Sequence, residues 1–219
     1  MGEPILFWGA TGHAIALHEF LCVQDHWLLA LVDRDPEVVS PFPGIPVHRN
    51  MKDLISTLAE QGTPPPGFVV AIGGSRGADR KTLSEALQEQ GMHPVRAVHP
   101  TAWIARDAEV GKGIQAMAGS RIGSRAKIGD WVIVNTGASV DHECQIGSGA
   151  HLAPGVVLCG CVEVGECAMV AAGAVVLPHV RIGAGSIVGA GSLVVRDIPA
   201  GVVAFGNPAR VIRILGVNS

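Results

Sequence analysis

The chain has 219 residues, of which 48% are hydrophobic and 16% are charged. Its formal net charge of -3 and its pI near 6.3 exclude the basic surface that binds nucleic acid or an anionic membrane. No apolar run approaches the roughly 20 residues of a membrane-spanning helix. Five cysteines, an odd number, and an N-terminal segment without the pattern of a secretory leader predict a reduced, cytoplasmic chain.

Strand-like segments alternate with helical patterns in the first part of the chain. The segment PILFWG, residues 4–9, predicts a buried strand, and GATGHA leads into an apolar-periodic helix over Ile15–Val23. LLALVD predicts a second strand that ends at Asp33. The later elements are a helix, a Pro-rich loop, a third strand and a further helix: 52–60, QGTPPPG, FVVAIGG and 79–90. This alternation predicts a small parallel, Rossmann-like α/β sheet over residues 1–96.

The turn after the first strand has features of a phosphate-binding loop. Gly9 and Gly12 lie between a strand and a helix, where backbone N–H groups and the helix dipole can hold a phosphate. Asp33 ends the next strand, from which a carboxylate commonly contacts ribose hydroxyls. GATGHA differs from GxGxxG, and a tight turn without a ligand is the alternative. The pattern favours a mononucleotide or a nucleotide sugar over a dinucleotide.

The second part of the chain repeats every six residues. Sixteen positions spaced by six are apolar, and fifteen of them are branched aliphatics. They are Ile104, Val110, Ala116, Ile122, Ile128, Val134, Val140, Ile146, Leu152, Leu158, Val164, Val170, Val176, Ile182, Val188 and Val194. The residue two places before each is small or β-branched, as at Ala126, Cys144 and Ser186. The helical period of 3.6 is absent, so this part is not α-helical.

A second period of eighteen residues lies on top of the first. Each of five glycines follows an aliphatic residue: Gly111, Gly129, Gly147, Gly165 and Gly183. Six residues per flat face and three faces per coil predict a triangular prism, a parallel β-helix of about five coils over residues 97–215, with coils about 4.8 Å apart. We expect glycine at these places because it adopts corner dihedrals that other residues resist.

The stretch SVDHECQIG places three ionisable side chains side by side in this otherwise plain repeat. Asp141 and His142 follow the inward-facing Val140, where other hexads often have a small residue, so we expect both side chains to point outward. Histidine exchanges a proton near neutral pH, and a neighbouring carboxylate such as Glu143 can stabilise its imidazolium form. An acid, a base and an acid at one corner predict a catalytic site, and a solvated charged corner is the alternative.

Residues eighteen apart are expected to stack on successive coils. Glu143, Cys161 and His179 form one such column. His142 is expected to lie below Gly160, where the missing side chain leaves room for a ligand. The cysteines do not form a CxxC pair, since Cys159 and Cys161 are separated by one residue, and no metal is expected.

Over essentially its whole length the chain resembles one branch of the hexapeptide-repeat acyltransferases. The resemblance rests on the G-x-x-G-H-A turn, on HPTAWIARDAEVGKG, on the stretch VNTGASVDHECQIGSGAHLAPG and on the closing G-N-P-A-R-V-I. The branch contains sialic acid O-acetyltransferases, UDP-4-amino-sugar N-acetyltransferases and GDP-perosamine N-acetyltransferases. It implies a left-handed β-helix, acetyl-CoA as co-substrate, no metal, and a homotrimer with the acceptor and coenzyme A in grooves between prisms.

The resemblance also implies roles for individual residues. The family's catalytic histidine and the acid after it fall on His142 and Glu143, and Asp141 is assigned to the substrate. The residues assigned to coenzyme A are His151, near its acetyl end, and Gly160, whose N–H faces the thioester carbonyl. The residues assigned to the sugar nucleotide are Asn135, Gly9, Gly12, His13, Asp33 and Gly73. At Gly73 the chain has AIGGS where relatives often have IGxN.

These patterns together predict an N-acetyltransferase that transfers acetyl from acetyl-CoA to the amino group of a nucleotide-linked amino-deoxy sugar. O-acetylation of a sialic-type sugar is the nearest alternative. Two alternatives come from other classes: a non-enzymatic β-solenoid scaffold, and a metal-dependent prism of the carbonic anhydrase type. The latter needs three metal-binding histidines between subunits, for which His142, His151 and His179 are available.

Overall fold

The computed structural model describes residues 2–23, 26–60 and 64–216. The chain forms two compact units, Met1–Ile72 with Thr82–Ala97, and Gly73–Lys81 with Val98–Ser219. Residues 73–81 group with the second unit, and the domain boundary expected after residue 96 stays a prediction. The first three residues of the predicted Pro-rich loop, 61–63, lie outside the described part of the chain. None of the described helices is long and apolar enough to cross a membrane.

The first unit contains a five-stranded, entirely parallel sheet, which confirms the predicted α/β class. Its strands are β1 (Glu3–Trp8), β2 (His26–Val32), β3 (Val47–His48), β4 (Gly67–Val70) and β5 (His93–Pro94). The chain's helices are α1 (Gly12–Leu21), α2 (Met51–Glu60) and α3 (Gly77–Glu89). Two-residue strands such as β3 and β5 are too short for a periodic sequence signal, so the sequence did not predict them.

The strand order β3-β2-β1-β4-β5 places the topological switch between β1 and β4. In open α/β sheets ligands bind outside the carboxyl ends of the strands at this point. The turn that follows β1 contains Gly9 and Gly12, and it lies at this switch because Ala71, which follows β4, donates its N–H to the carbonyl of Trp8. The sheet therefore positions the predicted phosphate loop where this class of fold binds ligands.

The second unit is a left-handed parallel β-helix. Sixteen two-residue strands form its three faces. They are β7 (Trp103–Ile104), β8 (Glu109–Val110), β9 (Gln115–Ala116), β10 (Arg121–Ile122), β11 (Lys127–Ile128), β12 (Ile133–Val134), β13 (Ser139–Val140), β14 (Gln145–Ile146), β15 (His151–Leu152), β16 (Val157–Leu158), β17 (Glu163–Val164), β18 (Met169–Val170), β19 (Val175–Val176), β20 (Arg181–Ile182), β21 (Ile187–Val188) and β22 (Leu193–Val194). Two further elements extend one face, the strand β6 (Ala97–Val98) and an antiparallel hairpin of β23 (Val202–Gly206) and β24 (Ala209–Ile214).

The second residue of each of these sixteen strands is one of the sixteen predicted inward positions. Fourteen of them are buried in the prism core, and Ile104 and Val110, on the first coil, are partly buried against it. Full burial of a Val, Leu or Ile side chain stabilises a fold by about 1.5–3 kcal/mol. The six-residue phase assigned from the sequence is confirmed, and the outward positions of the strands are left free for chemistry.

The glycines spaced by eighteen have a different role from the one expected. None of Gly111, Gly129, Gly147, Gly165 and Gly183 has a left-handed φ. A Cβ on Gly147 would lie 2.5 Å from the backbone nitrogen of Glu166, and one on Gly129 would lie 2.7 Å from that of Ser148. These glycines are therefore required by the close approach of successive coils.

The left-handed corners belong to other columns of stacked residues. One, here the glycine column, consists of Gly119, Gly137, Gly155, Gly173 and Gly191. Another, here the substituted column, has left-handed φ without any glycine, at Arg125, Glu143, Cys161 and His179. A left-handed backbone costs an ordinary residue about 1–2 kcal/mol. The substituted column repeats that cost on four successive coils, and it includes an acid of the predicted catalytic corner.

Candidate active site

The acid-base-acid row lies on the corner between β13 and β14, and its side chains point outward as predicted. The side chain of His142 is 55% exposed and that of Glu143 is 41% exposed. Asp141 turns its carboxylate back, and its Oδ1 accepts the backbone N–H of His142 at 2.7 Å. This bond fixes the start of the corner, so Asp141 orients the peptide that carries the imidazole.

The Glu143 carboxylate connects three side chains. Its Oε2 lies 3.4 Å from Nδ1 of His142, and its Oε1 lies 3.2 Å from Nη2 of Arg125. The thiol of Cys161 is 3.9 Å from the same Oε2. A carboxylate at this distance from Nδ1 favours a proton on that nitrogen and stabilises the imidazolium that forms when Nε2 accepts a second one. The arrangement suits a histidine that works as a general base.

The imidazole of His142 occupies the space that Gly160 leaves on the next coil. A Cβ on Gly160 would lie 2.5 Å from both Nε2 and Cε1 of the ring. The expectation that this gap is left for a ligand is wrong in this respect, because the histidine ring itself fills it. Gly160 thus has a steric role, and its assignment to the thioester carbonyl stays a prediction.

A buried thiol lies behind the corner. Cys144 donates to the carbonyl of Cys159 at 3.2 Å, and burial raises the pKa of the Cys144 thiol to about 11. A thiol with so high a pKa is a poor nucleophile near neutral pH. Among the described residues, one group of donors is close enough to hold a metal ion, namely His142, Glu143 and Cys161, whose ligand atoms lie within 4.8 Å of one another.

A second polar cluster joins residues that the sequence assigned to different ligands. His151 on β15 is buried, its Nδ1 lies 3.1 Å from the carbonyl oxygen of Gly74, and its Nε2 lies 3.2 Å from Nδ2 of Asn135. Asn135 accepts the N–H of Thr136 with its Oδ1, which leaves its NH₂ group as the donor to Nε2. The proton of the ring is therefore on Nδ1, and it is donated to Gly74. Gly73 is adjacent, since a Cβ on it would lie 3.5 Å from Cε1 of His151.

Arg80 holds the segment that brings Gly74 to His151. Its guanidinium is buried and donates to the carbonyls of Trp131 at 2.8 Å, Gly149 at 2.6 Å and Ala150 at 3.2 Å. Burial lowers the pKa of Arg80 to about 10. No sequence pattern points to this residue, because these carbonyl acceptors lie 51 to 70 positions away.

In the first unit, Asp33 holds the predicted phosphate turn in place. Its Oδ2 accepts the N–H of Ala10 at 3.0 Å, and its Oδ1 accepts that of Asp35 at 3.1 Å. Gly9 has φ of +105°, and a Cβ there would lie 2.7 Å from the carbonyl oxygen of Ala71. Glycine is therefore required at this position by both φ and space. The role expected for Asp33 toward ribose stays a prediction beside this structural one.

Gly12 faces open space. Gly12 is the first residue of α1, is exposed, and a Cβ on it would meet no atom within 4 Å. His13 follows it and is half-exposed. The structure thus brings Gly9, Gly12 and Asp33 together in the first unit, and His142, Glu143 and Gly160 together in the second.

Two residues of these clusters were missing from the sequence prediction: Arg125 and Arg80. The eighteen-residue period could have predicted the contact of Arg125, because Arg125 lies eighteen residues before Glu143 and therefore one coil below it. Gly74 and Arg80 belong to the segment that the sequence assigned to the other domain.

Comparison with known proteins places this fold in a family. The family model of the bacterial transferase hexapeptide (six repeats) matches residues 143–178. A sequence search of curated proteins finds no match. PerB from Caulobacter crescentus, solved with CoA and GDP-perosamine, is 38% identical over 95% of this chain and 97% of its own, with a TM-score of 0.84.

Two further structures are similar at lower identity. The acetyltransferase domain of PglB from Neisseria gonorrhoeae, solved with acetyl coenzyme A, is 27% identical over 97% of this chain and 100% of its own, with a TM-score of 0.84. WeeI from Acinetobacter baumannii is 27% identical over 95% of this chain and 99% of its own, with a TM-score of 0.83. With a relative at 38% identity along nearly its entire length, the chain belongs to the hexapeptide-repeat acetyltransferases that include perosamine N-acetyltransferase.

Proposed function

We propose that this protein transfers the acetyl group of acetyl-CoA to the amino group of a nucleotide-linked amino-deoxy sugar, with His142 as the general base. The observation that carries the proposal is the exposed imidazole of His142, 3.4 Å from the carboxylate of Glu143. The identity of 38% to an enzyme solved with CoA and GDP-perosamine supports the class of both substrates.

The reaction needs no covalent acyl-enzyme, because the thioester of acetyl-CoA is already activated. The sugar amine attacks the thioester carbonyl, and Nε2 of His142 takes the proton that the amine loses. Glu143 stabilises the imidazolium from the Nδ1 side, and Arg125 fixes that carboxylate through its other oxygen, 3.2 Å away. The tetrahedral intermediate then expels coenzyme A as a thiolate, which the imidazolium can protonate. The backbone N–H of Gly160 is the proposed donor to the developing oxyanion.

The two units divide the binding of the substrates in this proposal. The turn at Gly9, Gly12 and His13 binds the phosphates, and Asp33 contacts the ribose. On the prism, Asn135 and Asp141 contact the sugar, and His151 lies near the acetyl end of coenzyme A. We also propose a homotrimer, which sedimentation equilibrium of the purified chain would test by its mass.

His142→Ala tests the base directly. Loss of a general base lowers kcat by about 10²–10⁴-fold, whereas CoA binding, measured by calorimetry, should stay close to that of the wild type. Asparagine and alanine variants of one histidine in the Caulobacter enzyme were solved with CoA and GDP-perosamine, which shows that such a loss can leave both ligands bound in that relative. Wild-type turnover by His142→Ala would remove His142 from the mechanism.

Gly12→Val tests the division of labour. Because a Cβ on Gly12 would meet no atom within 4 Å, we expect the valine side chain to obstruct a ligand on the turn rather than the fold. KM for the sugar nucleotide should rise, and KM for acetyl-CoA should hardly change. If acetyl-CoA binding weakened instead, or if a free amino sugar reacted as well as its nucleotide form, the nucleotide role of the first unit would be rejected.

A further inference from the structure

We propose that the corner formed by His142, Glu143 and Cys161 is a binding site for one Zn²⁺ ion, which inhibits acetyl transfer when it is bound. The binding follows from the geometry of the three side chains. The inhibition rests in addition on the role proposed above for His142.

The three donors are already close to the spacing that zinc requires. Zinc bonds of about 2.0–2.2 Å to nitrogen and oxygen and about 2.3 Å to sulfur, at tetrahedral angles, separate N from O by about 3.4 Å and S from O by about 3.6 Å. Here Nδ1 of His142 lies 3.4 Å from Oε2 of Glu143, and Sγ of Cys161 lies 3.9 Å from the same oxygen. The third pair, Nδ1 of His142 and Sγ of Cys161, lies within 4.8 Å, so the donors have to converge by about 1 Å at most to complete the site.

The backbone holds these side chains on adjacent coils. The N–H of Cys161 donates to the carbonyl of His142 at 2.9 Å, and the N–H of Glu143 donates to that of Ser124 at 2.9 Å. Both Glu143 and Cys161 occupy left-handed corners, with φ of 58° and 59°. The donors therefore start from fixed Cα positions, which reduces the conformational entropy lost when they converge on an ion.

The chemistry of the donors favours zinc. A mixed set of imidazole, carboxylate and thiolate suits Zn²⁺ rather than Mg²⁺ or Ca²⁺, which prefer oxygen ligands. Arg125 contacts Oε1 of Glu143, so Oε2 remains for the ion. As zinc binds, the Cys161 thiol loses its proton to solvent and becomes a thiolate ligand. Three protein ligands leave the fourth tetrahedral position for water.

Zinc at this corner opposes the proposed mechanism. The ion binds the lone pair of Nδ1, and the proton that Nδ1 carried moves through solvent to Nε2, so the zinc-bound ring has an N–H donor where the mechanism needs an acceptor. The imidazole then no longer accepts the amine proton. Cys161 takes no part in the proposed transfer, so a change at Cys161 separates metal binding from catalysis.

Cobalt(II) spectroscopy tests the site without any assay of activity. Titration of the full chain with Co²⁺ should produce one equivalent of a thiolate-to-cobalt charge-transfer band, and Zn²⁺ should abolish it. Cys161→Ser should lose the band. Cys159→Ser is the matched control, because Cys159 lies on the same corner outside the cluster, and it should keep the band. A wild-type titration without a thiolate band, or a band that persists in Cys161→Ser, would overturn the proposal.

A second arm tests inhibition with free Zn²⁺ set by a metal buffer, since the thiol of coenzyme A itself binds zinc. Zinc should inhibit the wild type and Cys159→Ser, and a chelator should reverse the effect. Because the Cys161 thiol contacts the Glu143 carboxylate, the inhibition of Cys161→Ser is measured relative to the rate of that variant without metal. Removing a residue that only orients a metal ligand lowers the affinity for the metal about 10–100-fold. Cys161 is itself a proposed ligand, so Cys161→Ser should raise the Zn²⁺ concentration needed for inhibition at least about tenfold. If Co²⁺ binds through Cys161 and zinc leaves the rate unchanged, the metal site stands and the base assigned to His142 fails.

Discussion

Two columns of corner residues run along the same prism with the same backbone conformation and with different chemistry. In the glycine column φ lies between 65° and 69°, and in the substituted column it lies between 58° and 61°. An ordinary residue at such a φ is disfavoured by about 1–2 kcal/mol, so glycine is the expected solution. Residues held in strained conformations cluster at functional sites. A third column mixes glycine with Trp131 and Cys167, so the substituted column beside His142 differs from both others in having left-handed φ at four successive non-glycine residues.

The largest effect we expect within this comparison comes from Gly160→Ala. Gly160 has no left-handed φ, so alanine is compatible with its backbone, and the atoms nearest to the new Cβ belong to the His142 ring, 2.5 Å away. The exposed imidazole can rotate away with little loss of stability. Displacement of a catalytic group by about 1 Å can lower the rate about 10²-fold, so kcat should fall by that order.

The readouts of Gly160→Ala distinguish a displaced base from a damaged fold. We expect a Tm close to that of the wild type, and a KM for the sugar nucleotide that is nearly unchanged. An intact kcat would mean that the ring does not need its present position. A large loss of Tm would mean that the imidazole cannot leave the space above Gly160.

The sequence predicted the framework of this site better than its internal contacts. The six-residue period fixes which residues point inward, because every flat strand of the prism has the same length and the same register. It also placed Asp141 and His142 outward, and Cys161 one coil above Glu143. The φ of each corner is invisible to that period, so the five glycines spaced by eighteen were assigned the wrong role. The His151–Gly74 contact joins residues 77 positions apart, which no local pattern reports.

The second prediction introduces alanine at one position of each column and compares the two losses of stability. Gly137→Ala introduces a Cβ that meets no atom within 4 Å, so its effect comes from φ of 65° alone. It should lower the free energy of unfolding by about 1–2 kcal/mol. Glu143→Ala keeps a non-glycine residue at its corner, so the strain is unchanged and only the contacts of the exposed carboxylate are lost. We expect a stability loss of about 0–1 kcal/mol.

Urea unfolding of the two alanine variants, with equal m-values as a check on the unfolded state, measures this difference. Their activities should rank in the opposite order, since Gly137→Ala leaves the site intact and Glu143→Ala removes the partner of His142. If the two variants were equally destabilised, the left-handed φ at Gly137 would not penalise alanine beyond the loss of an exposed carboxylate's contacts.

The smallest effect is expected from Arg125→Met, which asks whether the substituted column acts as one unit. Arg125 is 72% exposed, and its ion pair with Glu143 spans 3.2 Å. Exposed pairs of this kind contribute about 0–1 kcal/mol, so stability should hardly change.

If Arg125 positions the carboxylate of Glu143, Arg125→Met should lower kcat less than about tenfold and leave KM unchanged. The difference in kcat from the wild type should shrink in high salt, which screens the ion pair in the wild type. In a Glu143→Gln variant, Arg125→Met should have no further effect on kcat, because the carboxylate charge that Arg125 contacts has already been removed. Additive losses in the double variant would show that Arg125 acts on the substrate rather than through Glu143.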